Sequence, residues 1–226
     1  MKIIELEETN STNEYCKSLN IDDDVIVIAK RQTAGKGTKG RSFSSLDGGI
    51  YLSLMRNMFD FPAEKAFQIM INSCVAVCVT LESFGISPVI RWANDVLVNG
   101  KKICGTLIEN TFSGDKIIRS IVGCGLNVNN SFPSELKDIA TSMQQAAGKP
   151  FDVKRVEKEF IKNLQQNYTV ADYKSYMNWL LKPVTLKTYH SEKVVTALDI
   201  SSDGRLIVDD NGTILKISSA EVSIGL

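Results

Sequence analysis

The chain has 226 residues, a hydrophobic fraction of 43% and a charged fraction of 23%, values that predict a folded globular protein rather than a disordered one. Its 26 Lys and Arg residues balance its 26 Asp and Glu residues, which argues against binding nucleic acid or a membrane mainly through net charge. A single histidine, His190, excludes a His-rich metal site.

The cysteines and the apolar segments point to a reducing, cytoplasmic setting. The five cysteines are an odd number without a Cys-x-x-Cys pair, so neither a zinc site nor a disulfide framework is predicted. Met1 leads straight into a mixed polar segment, which lacks the features of a signal peptide. The most apolar stretch, residues 69–79, is interrupted by polar side chains and is too short to span a bilayer.

The first 182 residues contain both helix and strand patterns. Ser11 and Glu14 have the spacing of a capping box, in which each side chain binds the backbone N–H of the other residue at the start of a helix. Further helices are predicted at residues 63–84, after Asp152 as N-cap, and from residue 170 to about residue 181. Strands are predicted at residues 25–29, 49–55, 89–92, 96–98, 103–109 and 117–125, the last two paired across a turn at 113–115.

From residue 184 the pattern changes to short strands without a helix. The dipeptide Asn211-Gly212 favours a type I′ hairpin, and residues 202–204 give a second turn signal. A meander of this kind predicts a small barrel or an open sheet beside the larger body. The predicted strands are residues 184–189, 193–200, 205–209 and 214–218.

A glycine-rich basic segment follows the strand predicted at residues 25–29. Gly35, Gly37 and Gly40 fit the G-x-G-x-x-G dinucleotide fingerprint, but residues 42–49 lack the helical pattern that should follow it. Glycines let backbone N–H groups approach a phosphate, and cations neutralise its charge. We interpret the segment as a mobile loop that becomes ordered on an anionic ligand, with a solvated basic turn as the alternative. Its cations are Lys36, Lys39 and Arg41.

Two other segments place polar groups beside apolar ones. Asn94 and Asp95 follow Trp92, and their oxygens suit a Mg²⁺ held mainly by nucleotide phosphates; a simple Asn-Asp hairpin turn is the alternative. Lys101 and Lys102 begin an apolar strand, where a shielded lysine can bind a carboxylate or a phosphate. The alternative for these lysines is a solvated pair in a hairpin.

Taken together, the motifs resemble those of biotin protein ligases, in the order found in that family. The resemblance covers the whole chain and implies an α+β fold of the class II synthetase and biotin/lipoate ligase type. It implies a catalytic domain at residues 1–182, with a mixed sheet and helices, and an SH3-like β domain at residues 183–226. The motifs are residues 11–13, 32–37, 91–95, 102–107, 123–128 and 132–142, the last similar to the family's adenylate-side loop.

The resemblance implies a two-step reaction. Biotin and Mg-ATP would give biotinyl-5′-AMP and pyrophosphate, and a lysine of a biotin carboxyl carrier domain would then take up biotin and release AMP. Positioning and fixed cations should dominate both steps. The implied cofactors and substrates are ATP, Mg²⁺ and biotin, and the implied partner is the carrier of a biotin-dependent carboxylase, with a homodimer as a further option.

The resemblance also implies individual roles. The expected catalytic residues are Lys102, placed between the biotin carboxylate and the α-phosphate, Arg41 and Asp95, of which Asp95 is the candidate Mg²⁺ ligand. The expected biotin-binding residues are Ser11, Thr12, Asn13, Gln32, Gly35, Lys36, Gly37, Thr38, Lys102, Gly105, Leu107 and Gly123. The expected nucleotide-binding residues are Lys36, Lys39, Arg41, Phe43, Asn94 and Asn127.

Three positions depart from the family pattern. Thr38 stands where an arginine facing the adenylate is often found, Arg91 replaces the usual lysine, and Ala93 replaces the usual proline. The first departure questions a phosphate contact at position 38. The other two are expected to be tolerated.

Other functions predict different features. A lipoate or octanoate ligase or acyltransferase would share the fold, but those families usually carry Arg-Arg, Gly-Gly-Gly and His-Asp stretches, whereas His190 lies in the tail. A biotin- or nucleotide-sensing module would bind without releasing pyrophosphate. The motifs begin by Ser11, so we expect no N-terminal helix-turn-helix and no specific DNA binding.

Overall fold

The computed structural model describes residues 1–188, 191–219 and 223–225. Tyr189 and His190 lie outside the described residues, and so does the end of the strand predicted at residues 184–189. The helices are α1 (Thr12–Ser18), α2 (Phe67–Ser83), α3 (Met143–Ala147), α4 (Val153–Leu164) and α5 (Val170–Ser175).

Twelve strands are present in the described part of the chain. The first seven are β1 (Lys2–Thr9), β2 (Val25–Gln32), β3 (Ile50–Pro62), β4 (Val89–Arg91), β5 (Asp95–Val98), β6 (Lys101–Ser113) and β7 (Lys116–Leu126). The other five are β8 (Pro183–Lys187), β9 (Glu192–Ile200), β10 (Leu206–Asp210), β11 (Thr213–Ile217) and β12 (Ser223–Gly225).

The strands form two sheets. The larger sheet has the order β1-β2-β3-β7-β6-β5-β4, with β1 parallel to β2 and the other neighbours antiparallel. The smaller sheet has the order β11-β10-β9-β8-β12 and is antiparallel throughout. A mixed sheet with helices, followed by an all-β unit, confirms the predicted α+β class.

Helices cover both faces of the larger sheet. Helix α2 packs on one face and contributes Cys74, Cys78 and Leu81 to the main core, while α1 contributes Cys16 to a smaller core on the other face. With the turn before it, α2 spans Ala63–Ser83, and its 21 residues are long and apolar enough to cross a membrane by length and composition alone. Because 56% of its most apolar window is buried inside the protein, its position in the core accounts for that composition.

The smaller sheet packs against the larger body. The Trp92 indole N–H donates to the Gly204 carbonyl at 2.9 Å, and Lys174 Nζ lies 2.8 Å from Asp199 Oδ1. Val184 joins the same buried core as the residues of α2. The strand meander is therefore attached to the larger body through both apolar and polar contacts. The domain division after residue 182 stays a prediction.

Several elements differ from the prediction. The helix predicted at 170–181 ends at Ser175, because the following segment bonds to β4: Ile90 N–H donates to the Tyr176 carbonyl at 2.9 Å, and the Trp179 indole N–H donates to the Ile90 carbonyl at 2.7 Å. Pro183 begins strand β8 rather than simply ending a helix. Strands β1 and β12 and helix α3 were not predicted.

The predicted hairpin turns agree with the structure. Asn211 and Gly212 both have positive φ, 53° and 90°, as a type I′ turn between β10 and β11 requires. Strands β6 and β7 pair across the predicted turn at residues 113–115. Strand β7 matches its predicted bounds to within one residue at each end, whereas β6 extends four residues further towards the turn, and the hairpin lies at the centre of the larger sheet.

Candidate active site

The floor of the site is formed by glycines on β6 and β7. Gly105 pairs with Gly125, and Leu107 pairs with Gly123, so the small residues leave one face of the sheet uncovered. A side chain at Gly123 would collide with the Asn13 carboxamide, and one at Gly125 would collide with the Phe43 ring. The glycines therefore make room for groups that approach the sheet from α1 and from the loop after β2.

Helix α1 supplies buried polar groups at one end of this space. The Thr12 backbone N–H donates to Gln32 Oε1 at 2.8 Å, and Ser53 Oγ lies 2.5 Å from Asn13 Oδ1. The Asn13 amide donates to Glu109 Oε2 at 2.7 Å. The sequence pattern did not single out Ser53 or Glu109, although Ser53 is the one small polar residue within the apolar run at residues 50–55, which was a usable signal.

The predicted capping box at the start of α1 does not form, although Ser11 is the N-cap residue. Ser11 occupies the N-cap position, but its side chain makes no capping hydrogen bond. Glu14 instead lies 2.7 Å from Lys36 Nζ and 2.9 Å from Lys17 Nζ, because these cations compete for its carboxylate. The hydrogen bond from Lys36, and to a smaller extent the one from Lys17, lowers the pKa of Glu14. Ser11 is 3% exposed and lines the adjacent pocket.

The first pocket lies above the glycine floor, between α1 and the basic loop, and encloses about 440 Å³. It brings together every predicted biotin-binding residue except Gly35. Gly35 lies in the turn behind it, where an added side chain would lie 2.5 Å from the Phe43 carbonyl oxygen. The lining residues are Ser11, Thr12, Asn13, Gln32, Lys36, Gly37, Thr38, Phe43, Asn94, Lys102, Gly105, Thr106, Leu107, Gly123, Cys124 and Gly125.

The second pocket adjoins the first and encloses about 1120 Å³. It shares Gly37, Thr38, Phe43 and Lys102 with the first pocket. Its other lining residues include the predicted Arg41, Asp95 and Asn127, together with Arg91 and the segment that looks like an adenylate-side loop, through Phe132, Leu136, Asp138, Ile139 and Ala140.

Some predicted nucleotide-binding residues lie elsewhere. Asn94 lines the first pocket and donates its amide to the Thr106 carbonyl at 3.0 Å. Lys39 lines a separate cleft towards β12, to which Arg41 also contributes. The Asn127 amide is used within the protein, since it donates to the Thr141 carbonyl at 3.1 Å. Among the predicted nucleotide-binding residues, Arg41, Phe43 and Asn127 line the second pocket.

The basic loop forms a short 3-10 turn at Thr38–Gly40, and no helix follows it, as predicted. Its backbone closes on itself, because Gly37 N–H donates to the Arg41 carbonyl at 2.6 Å and Phe43 N–H donates to the Gly35 carbonyl at 2.8 Å. The loop therefore forms one wall of both pockets.

Lys102 stands where the two pockets meet. Its Nζ lies 2.6 Å from Asp95 Oδ1, while Arg91 Nη2 lies 2.7 Å from Asp95 Oδ2. Burial of the Asp95 carboxyl opposes its ionisation, but the charges and hydrogen bonds of Lys102 and Arg91 outweigh burial and lower its pKa. Two cations thus share one carboxylate, and the excess positive charge suits anionic ligand groups at this junction.

A large, partly enclosed space with a polar end, a central lysine and a basic wall is the arrangement of a ligase that activates an acid with a nucleotide. Residues 4–127 match the Biotin/lipoate A/B protein ligase family, and residues 182–225 match the Biotin protein ligase C terminal domain. The chain belongs to the biotin/lipoate A/B protein ligase family. The second match favours its biotin ligase branch and confirms the resemblance that the motifs indicated.

Individual relatives support this placement. The bifunctional ligase/repressor BirA of Bacillus subtilis is 34% identical over 97% of this chain and 72% of that protein. The biotin–[acetyl-CoA-carboxylase] ligase of Mycobacterium tuberculosis is 27% identical over 88% of this chain and 79% of that protein. The structure of biotin protein ligase from Aquifex aeolicus in complex with biotin and ATP has a TM-score of 0.80 and 30% identity, covering 99% of this chain and 98% of that one.

Proposed function

We propose that this chain is an ATP-dependent biotin protein ligase in which Lys102 connects an acid-binding pocket with a nucleotide-binding pocket. The observation that carries the proposal is that Lys102 lines both adjoining pockets. The first pocket takes biotin, and the second takes the nucleotide. The carboxylate of one substrate and the α-phosphate of the other would then meet beside the same ammonium group.

The polar end of the first pocket favours biotin over lipoate. Thr12, Asn13 and Gln32 line this end with amide and hydroxyl groups that are buried or half-buried, and Ser53 behind them is hydrogen-bonded to Thr12 and Asn13. The ureido ring of biotin carries two N–H donors and a carbonyl acceptor, so it can exchange hydrogen bonds with such groups, whereas the dithiolane ring of lipoate cannot. Leaving these polar groups without partners would penalise the wrong ring.

In the first step an oxygen of the biotin carboxylate attacks the α-phosphorus, and the bond from that phosphorus to the bridging oxygen of pyrophosphate breaks. Lys102 has two tasks in this step. It reduces repulsion between the carboxylate and the phosphate, and it stabilises the charge that increases on the α-phosphate oxygens. Arg91 holds Asp95, and Asp95 in turn orients Lys102 before the substrates arrive.

The site fits a Mg²⁺ ion that is held mainly by phosphates. Within the described residues no cluster of three His, Cys, Asp or Glu side chains could hold a metal ion, and both Asp95 oxygens already contact cations. We therefore infer that Mg²⁺ enters with ATP and is held mainly by phosphate oxygens, and that Asp95 would contact it only when Lys102 or Arg91 turns from this carboxylate to a phosphate. When bound, the ion would neutralise charge on the phosphate oxygens.

In the second step an uncharged lysine amine of the carrier attacks the carbonyl carbon of biotinyl-AMP. The bond from that carbon to the phosphate oxygen breaks, AMP leaves, and the new amide loses its extra proton to solvent or to a nearby base. The basic loop at residues 35–41 covers both pockets and would retain the adenylate until the carrier docks. The acceptor we infer is a biotin carboxyl carrier domain.

Cellular setting and assembly are part of the same proposal. The five cysteines are free and buried, which suits a reducing cytoplasm. We infer that the chain does not read DNA sequence, because neutral net charge gives no general attraction to phosphates. A homodimer, which the family resemblance implies as a further option, stays a prediction.

The decisive experiment measures pyrophosphate release with biotin and ATP, followed by mass analysis of a carrier domain. We expect biotin-dependent pyrophosphate release and a carrier whose mass increases by one biotinyl group on one lysine. Lipoate and octanoate are the matched substrates. Activity with either of these and none with biotin would reassign the chain to the lipoate branch, and binding without pyrophosphate release would indicate a sensor.

A further inference from the structure

A third cavity lies on the face of the larger sheet that packs against α2, away from the two pockets described above. Side chains alternate between the two faces of a strand. Ser53 faces α1 and the active site, so Leu54 and Arg56 of β3 face α2. On β7, Ser120 pairs with Arg56 and Val122 pairs with Leu54, which places all four side chains on the α2 face.

A row of three polar residues crosses the sheet at this level. Asn110 of β6 pairs with Ser120 of β7, which pairs with Arg56 of β3. Among the residues that the structure describes, Asn110 Oδ1, Ser120 Oγ and Arg56 Nε are buried atoms without a hydrogen-bond partner. Ser120 as a whole is 1% exposed. Buried polar groups are normally hydrogen-bonded, so three such atoms in one row require an explanation.

The nearby groups do not supply the missing partners. Asp24 Oδ2 lies 3.9 Å from Arg56 Nε, which is too far for a hydrogen bond. Gln68 Nε2 donates to Asn72 Oδ1 at 2.8 Å, and Ser73 Oγ donates to the Ile69 carbonyl at 2.9 Å, so these groups are already engaged. The polar groups on α2 thus have partners within the protein, whereas Arg56 and Ser120 of the sheet line the cavity.

The cavity between this row and α2 has room for a small molecule. It encloses about 590 Å³ and is partly open to solvent, and Arg56 is the single charged residue among the described residues that line it. Its apolar wall is formed by Leu54, Met58, Phe61, Ile69, Val122 and Leu164. One cationic donor and one hydroxyl beside an apolar wall are what a carboxylate with an apolar body would require.

We propose that this cavity binds a small monocarboxylate with an apolar body. The carboxylate accepts hydrogen bonds from Arg56 Nε–H and from the Ser120 hydroxyl. The apolar body packs against Leu54, Val122 and Ile69 under α2. This site is separate from the adenylation reaction, since it lies on the opposite face of β3 and β7.

The test is a titration of the ¹⁵N-labelled full chain with 4-phenylbutyrate, observed by NMR. We expect saturable shifts at millimolar concentrations in the Arg56 Nε–H signal and in the backbone amides of Ser120 and Asn72. The backbone amide of Gly37, which lines both active-site pockets and not this cavity, should not move. The alcohol 4-phenylbutanol, which has no charge, should bind at least about tenfold more weakly, because a charge-assisted hydrogen bond is lost.

Two variants and one matched control test whether Arg56 and Ser120 bind the carboxylate of the probe. Arg56→Gln and Ser120→Ala should each weaken 4-phenylbutyrate binding, Arg56→Gln by about ten- to a hundredfold. Arg119→Gln removes an arginine from the opposite face of β7, where it donates to Asn57, and should bind like the unmodified chain.

Three outcomes would overturn the proposal. The first is the lack of any saturable shift, which would mean that only water meets the polar row. The second is equal affinity in Arg56→Gln and Arg119→Gln. The third is a shift of Gly37 together with Ser120, which would place the probe in the active site. Because none of these readouts uses biotin or ATP, the result does not depend on the ligase function.

Discussion

Lys102 Nζ lies 2.6 Å from Asp95 Oδ1, and Arg91 Nη2 lies 2.7 Å from Asp95 Oδ2, so one half-buried carboxylate orients two cations at the junction of two pockets. A lysine side chain has four rotatable bonds, and fixing it in advance removes a cost that would otherwise be met when substrates bind. Lys102 is also shielded by the Phe43 ring, whose centroid lies 5.6 Å from Nζ. These contacts separate Lys102 from its neighbour Lys101.

Lys102→Ala should reduce adenylation by about a hundredfold or more, because the charge on the carboxylate and the α-phosphate loses a fixed partner worth about 3 kcal/mol. The matched control is Lys101→Ala. Lys101 Nζ donates to the Lys137 carbonyl at 2.7 Å and does not line either pocket, so this variant should retain most activity. The measurement is biotin-dependent pyrophosphate release. An inactive Lys101→Ala beside an active Lys102→Ala would show that the wrong lysine was chosen.

Asp95→Asn should make the free energy of unfolding depend less on pH in the acidic range. Lys102 and Arg91 outweigh burial and lower the pKa of Asp95 in the folded chain, so its ionised form stabilises the fold. This contribution is fully present above the ordinary aspartate pKa of about 3.9 and is lost as pH falls through the lowered folded value. We expect urea unfolding from about pH 6 to about pH 3 to show a shallower decline in the variant. Parallel curves for the two proteins would contradict the coupling.

Gly123→Ala should damage the polar end of the first pocket. The added methyl group would occupy the space of the Asn13 carboxamide, which is fixed by Ser53 and Glu109. We expect a loss of about 1–3 kcal/mol in stability and a higher KM for biotin.

The double variant Gly123→Ala with Asn13→Ala provides the control. Removing the carboxamide relieves the collision. The double variant should therefore lose less stability than the sum of the losses in the two single variants. Denaturant unfolding measures the stability change, and initial-rate kinetics measure KM. Strict additivity would mean that Gly123 and Asn13 do not compete for the same space.

Local patterns predicted the regular elements of the fold well. The apolar periodicity of residues 63–84 and the turn signals at residues 113–115 and 211–212 correspond to α2 and to two hairpins. Strand β1 was missed because three glutamates and a lysine make it polar, and it lies at the sheet edge, where one side needs no partner. Helix α5 was overextended because the bonds from Trp179 and Tyr176 to β4 are tertiary contacts that no local pattern reveals.

In the site, too, local motifs predicted which residues take part, whereas their tertiary contacts were not predicted. Ordered motifs named nearly all residues of the first pocket, because each motif lies at a strand end or a loop that faces one space. The competition of Lys36 and Lys17 for Glu14 was not predictable, since Lys36 reaches α1 from a loop 22 residues away. The ion pair between Lys102 and Asp95 likewise depends on the register of β5 against β6.

Residues 35–41 should exchange their amide hydrogens quickly in the free chain and slowly when biotinyl-AMP is bound. The loop closes through few backbone bonds, and the charges of Lys39 and Arg41 repel each other, which an anionic ligand would relieve. Hydrogen exchange with mass spectrometry measures this, with helix α4, which lines neither pocket, as the internal reference that should not change. Equally slow exchange of the loop in both states would contradict an ordering transition.

Thr38→Arg should lengthen the lifetime of bound biotinyl-AMP. Thr38 lines the first pocket, the second pocket and the cleft towards β12, so a longer cationic side chain there can reach the adenylate phosphate. One charge-assisted hydrogen bond is worth about 1.5–3 kcal/mol, or about ten- to a hundredfold in residence time. Slower release should also reduce labelling of bystander proteins, because free adenylate reacts with any accessible lysine.

The matched control is Thr33→Arg, which adds the same charge at an exposed position that lines neither pocket. Release is followed by chasing preformed, labelled biotinyl-AMP with an excess of unlabelled biotin and ATP. Thr33→Arg should release the adenylate at the rate of the unmodified chain, since its charge is separated from the phosphate by solvent and screened within about 10 Å at ordinary salt. An unchanged or faster release from Thr38→Arg would show that position 38 does not face the adenylate, and Lys36 and Arg41 would then have to retain it without help.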